Sequence, residues 1–150
     1  MGQSPQSALR SGAATVRDVG KRTPRRVLVP GEVARQLDEE GVSVEVIDLR
    51  SLRPLDRDTI CASVRKTSRA VVLEDDWLSY GIGAEIAATI GEGGFDYLDA
   101  PVRRVAAAEV PLPYAKPLES AALPDAAALR SVIAQILQDT RFPRSEARHA

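Results

Sequence analysis

The sequence predicts an α/β fold: a three-layer, open, mostly parallel sheet with helices on both faces. Three observations carry that reading. Ala70-Val71-Val72-Leu73 is a short continuous apolar run, the pattern of a strand buried on both faces. Beyond Glu74-Asp75-Asp76, Gly81 and Gly83 open a stretch whose apolar positions Ile82, Ile86, Ala87 and Ile90 recur at helical spacing. The segments on either side repeat this strand, turn and helix grammar, which is that of βαβ units.

Taken in order, residues 1–26 form a basic arm. Arg10, Arg17, Lys21, Arg22, Arg25 and Arg26 face one acid, Asp18, and the hydrophobicity is too low for burial. Such an acid-poor leader is also compatible with an organellar transit peptide, but it has no secretory apolar run. The folded domain is expected over 27–138. Val27-Leu28-Val29, closed by Pro30-Gly31, reads as a first strand, and Val33, Ala34 and Leu37 as a short helix stopped by Gly41. Val42 to Leu49 is the clearest strand, rich in β-branched residues. Pro54 holds the next loop out of helix, and Asp56 caps a helix in which Ile60, Cys61 and Val64 face the sheet.

After the central strand and helix, Gly91 to Asp96 reads as a glycine-rich turn and Val102 to Ala106 as a further strand. Glu109 to Leu118 carries three prolines and reads as a surface loop. Pro124 and Asp125 suit the first turn of a last helix, whose apolar stripe is Leu129, Val132, Ile133, Ile136 and Leu137. Residues 139–150 turn polar and read as a frayed tail.

Composition narrows the function classes. At 150 residues there is room for one domain and tails. A net charge of −1 gives no overall bias toward nucleic acid or membrane, and 4% aromatics argues against a base-stacking platform. The lone Cys61 excludes an internal disulfide and fits a reducing, cytoplasmic setting. No apolar run approaches the roughly 20 residues that span a bilayer.

Catalytic chemistry is sparse. The single histidine, His149, lies in the tail, so no histidine triad or histidine metal site is available. Gly81-Ile82-Gly83 lacks the third glycine of a dinucleotide fingerprint. Glu74, Asp75 and Asp76 offer oxygen ligands, but consecutive strand residues diverge, so a solvated loop is expected. Catalytic, cofactor-binding and metal-ligating residues are accordingly expected to be none.

From about Gly41 to Leu137 the chain resembles the C-terminal domain of the beta subunit of the thiamine-diphosphate-dependent 2-oxoacid dehydrogenases, a transketolase C-terminal-like domain. The residues carrying the resemblance are Val44 to Asp56 (VEVIDLRSLRPLD), Ser63 to Thr67 (SVRKT), Glu74 to Glu85 with its Trp and Gly-x-Gly-Ala-Glu, Leu98-Asp99-Ala100-Pro101, and Val110 to Lys116 (VPLPYAK). The Pro-Tyr-Ala-Lys segment is most like the pyruvate dehydrogenase branch.

The resemblance implies that thiamine diphosphate with Mg belongs to the intact family complex and is not bound by this chain alone. In the family, the activating glutamate sits on a preceding pyrimidine-binding domain, and the diphosphate on the alpha subunit. Only about 40 residues precede Gly41 here, and no Gly-Asp-Gly motif is present. The implied partners are a decarboxylase alpha subunit, a second beta chain and the dihydrolipoyl acyltransferase. The implied docking residue is Asp99, whose other reading is a turn residue capping its own backbone. Val102, Val105, Val110 and Leu112 are candidates for an exposed apolar subunit contact. The segment from Arg25 to Glu40 is read as having lost about a helical turn relative to the family. The resulting expectation is a stand-alone or truncated beta-subunit domain that supplies contacts rather than thiamine catalysis. The alternatives are an inactive remnant and a small-molecule binder using a crevice lined by Leu52 to Asp56 and Glu74 to Gly83.

Overall fold

The computed structural model describes residues 12–17 and 24–139. Four strands form one sheet: β1 (Gly12–Arg17), β2 (Ser43–Asp48), β3 (Ala70–Trp77) and β4 (Arg103–Ala107), in the order β2-β1-β3-β4. Every pairing is parallel. The helices are α1 (Pro24–Glu39), α2 (Arg57–Thr67), α3 (Ile82–Gly94), α4 (Lys116–Ala122) and α5 (Ala126–Gln138).

Period-two alternation along β3 builds the two cores. Val71 and Leu73 point to one face, where Val33 and Leu37 of α1 and Leu129, Ile133 and Ile136 of α5 cover them. Ala70 and Val72 point to the other, under Ile60 and Val64 of α2 and Ile86 and Ile90 of α3. The predicted three-layer arrangement is what the chain adopts. Each fully buried aliphatic side chain contributes about 1.5–3 kcal/mol relative to exposure.

Most local signals act as expected. Asp56 Oδ1 accepts the Thr59 amide at 3.0 Å at the start of α2, and Asp125 Oδ1 accepts the Ala128 amide at 2.7 Å at the start of α5. Gly41 takes φ +83 just past α1, a left-handed conformation that a side chain would disfavour.

The N-terminal quarter differs. Val27-Leu28-Val29 lies inside the 16-residue α1, not in a strand, and the strand is supplied by residues 12–17 from within the expected basic arm. β1 lies between β2 and β3, bonded on both sides, and those two ladders supply what its own sequence lacks. The helix expected to be short is therefore a four-turn helix. Residues 1–11, 18–23 and 140–150, which include the rest of the arm, the tail and His149, lie outside the described residues. Two smaller corrections follow the same logic. α3 runs on through Gly91 to Gly94 before a 3₁₀ turn at Phe95–Tyr97, and α4 starts inside the proline-rich segment, with Pro117 in its first turn where no amide is needed.

Candidate functional site

The C-terminal ends of β3 and β4 carry the densest chemistry. β3 does not end at Leu73 but runs to Trp77, and this draws Glu74 inside. The expected solvated Glu74-Asp75-Asp76 loop is corrected: Glu74 is 1% exposed, Asp75 half-buried and Asp76 exposed. Glu74 Oε1 accepts from Arg104 Nη2 at 2.6 Å and Nε at 3.1 Å, while Oε2 accepts the Gly83 amide at 2.7 Å. A buried carboxylate is costly unless paired, and here a guanidinium and a helix N-terminus both meet it.

This carboxylate accounts for the Gly81-Ile82-Gly83 pattern. A Cβ on Gly83 would overlap Glu74 Oε1 and lie 2.6 Å from its Cδ, and one on Gly81 would lie 2.5 Å from Oε2. The two glycines leave room for a side chain of their own chain, not for a nucleotide. The first-turn amide of α3 at Gly83, which has no partner within the helix, is satisfied by Glu74 from outside.

Above the pair, two loops are pinned together. Trp77 Nε1 donates to the Val110 carbonyl at 3.2 Å, and Ser79 donates to Glu109 Oε1 from its Oγ at 2.6 Å and its amide at 3.0 Å. The Ser79 hydroxyl, then the Ser79 amide, hold the Glu109 carboxyl below its ordinary pKa. Tyr80 stands fully exposed at the loop tip, with φ +61, an uncommon conformation for a bulky residue. Trp77, Leu78, Val110, Leu112 and Tyr114 are exposed as well. Trp77 and Val110 thus stand exposed on a hydrogen-bonded frame.

Two cavities open here. One of about 420 Å³ is lined by Leu78, Arg104, Val105, Ala106, Ala107, Glu109 and Val132. The other, about 170 Å³, has Trp77, Val110, Leu112 and Leu123 as its apolar walls and Asp75, Asp76 and Glu119 as its acids. Neither is lined by the Leu52 to Asp56 loop, so the crevice expected between that loop and Glu74 to Gly83 is not where these cavities lie.

The structure separates the other sequence candidates. Val110 and Leu112 are on the exposed surface, at 45% and 43%. Val105 is corrected to a core residue, packed with Leu129 and Ile133, and Val102 to a half-buried one against the α2 and α3 core. The reason is β4 itself: alternation turns Val105 inward toward α5. Asp99 lies at the opposite end of the sheet, before β4. Its carboxylate is 17% exposed and 3.9 Å from Arg69 Nη1, and its amide donates to the Ser68 carbonyl at 2.8 Å.

The residues that sequence reasoning missed are Glu74 and Arg104. The available signal was the spacing of Glu74 from a downstream Gly-x-Gly, together with an arginine inside an apolar strand. The buried Glu74 carboxylate is held by Arg104 and Gly83, and among the described residues no group of three or more His, Cys, Asp or Glu is placed to hold a metal. Among those residues, too, no helix is long and apolar enough to cross a membrane.

Comparison with known proteins places these features in a family. A model of the transketolase C-terminal domain matches residues 25–129. Over 93 residues, 62% of the chain, the sequence is 59% identical to the pyruvate dehydrogenase E1 component subunit beta-1, mitochondrial, of Arabidopsis thaliana, covering 26% of that protein. It is 54% identical to the pyruvate dehydrogenase E1 component subunit beta of Rickettsia bellii over 62% of the chain and 29% of the relative. It is 46% identical to the mitochondrial Saccharomyces cerevisiae counterpart over 75% of the chain and 31% of the relative. The chain thus spans under a third of the length of these relatives. Among solved structures, a split gene transketolase described as an inactive beta4 tetramer superposes with a TM-score of 0.68 over 88% of this chain and 40% of that one. At 22% identity, that likeness speaks to the fold.

Proposed function

The chain belongs to the transketolase C-terminal domain family, and on that premise we propose that it acts as the contact-making domain of a pyruvate-dehydrogenase-type beta subunit. Its work is to hold subunits together, while thiamine chemistry is done by other domains. The observation that carries this reading is the exposed aromatic and aliphatic surface of Trp77, Leu78, Tyr80, Val110, Leu112 and Tyr114. A lone domain gains nothing from exposing this surface on a hydrogen-bonded frame, whereas a subunit does. The expected neighbours are a decarboxylase alpha subunit and a second beta chain, with Val110 and Leu112 in contact.

Docking of a dihydrolipoyl acyltransferase at Asp99 is part of the same proposal. There an incoming cation competes with Arg69, which already faces the carboxylate. Asp99→Asn therefore serves two readings at once: it weakens docking, and it removes a partner from a guanidinium only 10% exposed.

The test is reconstitution. The chain is co-expressed with a decarboxylase alpha subunit and with the thiamine-binding part of a beta subunit, and association is followed by light scattering. Pyruvate decarboxylation is assayed with thiamine diphosphate and Mg. The expected result is a complex that forms with this chain and loosens with Leu112→Asp, and no turnover by the chain alone. Turnover by the isolated chain, or no association from folded components, overturns the proposal.

A further inference from the structure

β4 is an edge strand. It is bonded to β3 through Val71 with Arg103, Val72 with Arg104 and Leu73 with Val105, and among the described residues nothing pairs its other side. The cavity of about 420 Å³ runs along that side, where Arg104, Val105, Ala106 and Ala107 all line it. Successive strand residues point to opposite faces, so no one face of the sheet presents four in a row. Only the outer edge does. At about 3.3 Å per residue, the lined stretch is about 13 Å long. Val132 of α5 forms a wall. Leu78 and Glu109 stand where β4 finishes, since Leu78 follows Trp77, the partner of Ala107.

An open edge presents unpaired N–H and C=O groups to any extended chain, and sheets commonly guard it with projecting charges or proline. β4 has no such guard. It contains no proline, and both its arginines are committed within the chain: Arg103 Nη2 donates to Asp139 Oδ2 at 2.8 Å, and Arg104 Nη2 to Glu74 Oε1 at 2.6 Å. The residues that close the strand are alanines, too small to shield the backbone. The charge of the groove is one-sided. Arg104 is neutralised by Glu74, whereas Glu109, held by Ser79, forms no ion pair among the described residues.

We infer that the outer edge of β4 is a strand-addition site for an extended peptide segment of a partner protein, laid antiparallel with an aliphatic side chain against Val132 and a basic one at Glu109. Main-chain hydrogen bonds to β4 supply the affinity, and the apolar wall and the lone carboxylate select the sequence. The site goes beyond the subunit-contact reading, because it lies along the flank of β4 and needs neither Val110 nor Leu112.

The experiment is a titration of the full 150-residue chain into a labelled probe, followed by fluorescence anisotropy. The probe is a short capped peptide of alternating valine and threonine with a lysine at its N-terminal end, the end that antiparallel pairing brings to Glu109. Saturable binding is expected, with slowed amide exchange within residues 103–107. The same peptide N-methylated at alternate residues keeps its side chains but loses half its N–H donors, and is expected not to bind. Glu109→Gln keeps an acceptor for Ser79 and removes the charge; it is expected to weaken binding about two- to fivefold, as loss of an exposed ion pair does. Circular dichroism confirms that the variant is folded. No saturable binding by the folded chain, equal binding of the N-methylated peptide, unchanged affinity in Glu109→Gln, or slowed exchange only outside residues 103–107 each overturns the inference. None of these outcomes touches the contact through Val110 and Leu112, which the reconstitution tests separately.

Discussion

Replacing Gly83 by alanine tests whether the Glu74 pair holds the upper end of the domain together. In an ordinary first helical turn, Gly→Ala gains up to about 1 kcal/mol from helix propensity. Here the new Cβ would overlap Glu74 Oε1 and sit 2.6 Å from Cδ and 2.8 Å from Oε2. The carboxylate is fully buried and has nowhere to withdraw without leaving Arg104 or the Gly83 amide. Breaking a buried ion pair while leaving its charge behind costs about 3–5 kcal/mol. The expected net loss, after the propensity gain, is about 2–4 kcal/mol. Urea unfolding followed by far-ultraviolet circular dichroism reads this as a lower midpoint at an unchanged slope. Gly91→Ala, in the same helix, is the control: its Cβ would meet nothing within 4 Å, and it should stabilise by about 0.5–1 kcal/mol. If both substitutions shift the midpoint alike, the carboxylate is not what requires glycine at position 83, and the reasoning fails.

Two further outcomes are expected. Ile133→Ala, at a side chain with no exposure between α5 and β3, should cost about 2–5 kcal/mol in the same unfolding assay, and a loss below about 1 kcal/mol would show that this core collapses around the cavity. The tie between Glu109 and Ser79 should be pH-dependent. Because the folded-state value is lowered, its contribution is present above the ordinary glutamate value of 4.5 and is lost as pH falls through the lowered one. The single tryptophan, Trp77, is hydrogen-bonded to the loop next to Glu109 and reports the release as a fluorescence change below pH 4.5. Glu109→Gln should flatten that change. A transition that persists unaltered in the variant assigns it to another group.

The sequence by itself determined the elements whose signals are local. Val42 to Leu49 and Ala70 to Leu73 needed only β-branched and apolar runs, α2 and α5 needed only an aspartate cap and a periodic stripe, and Gly41 needed only its freedom at φ +83. The continuous apolar run at the start of β3 already implied that both faces of the sheet are covered. Density of motif between Val44 and Lys116 was enough for the family. Tertiary structure decided the rest. β1 is a strand because β2 and β3 bond it on both sides, and Val27 to Val29 became helix once that place in the sheet was filled. Three successive acids read as solvated because a charge alone prefers water. Glu74 is buried because Arg104, 30 residues later, and an amide nine residues later arrive at the same point. Val105 and Val110 were indistinguishable as apolar residues, and only the direction of β4 sends one into the core and leaves the other on the surface. A residue's own chemistry sets what it needs, but whether the need is met depends on partners distant in sequence, and folding alone brings those together.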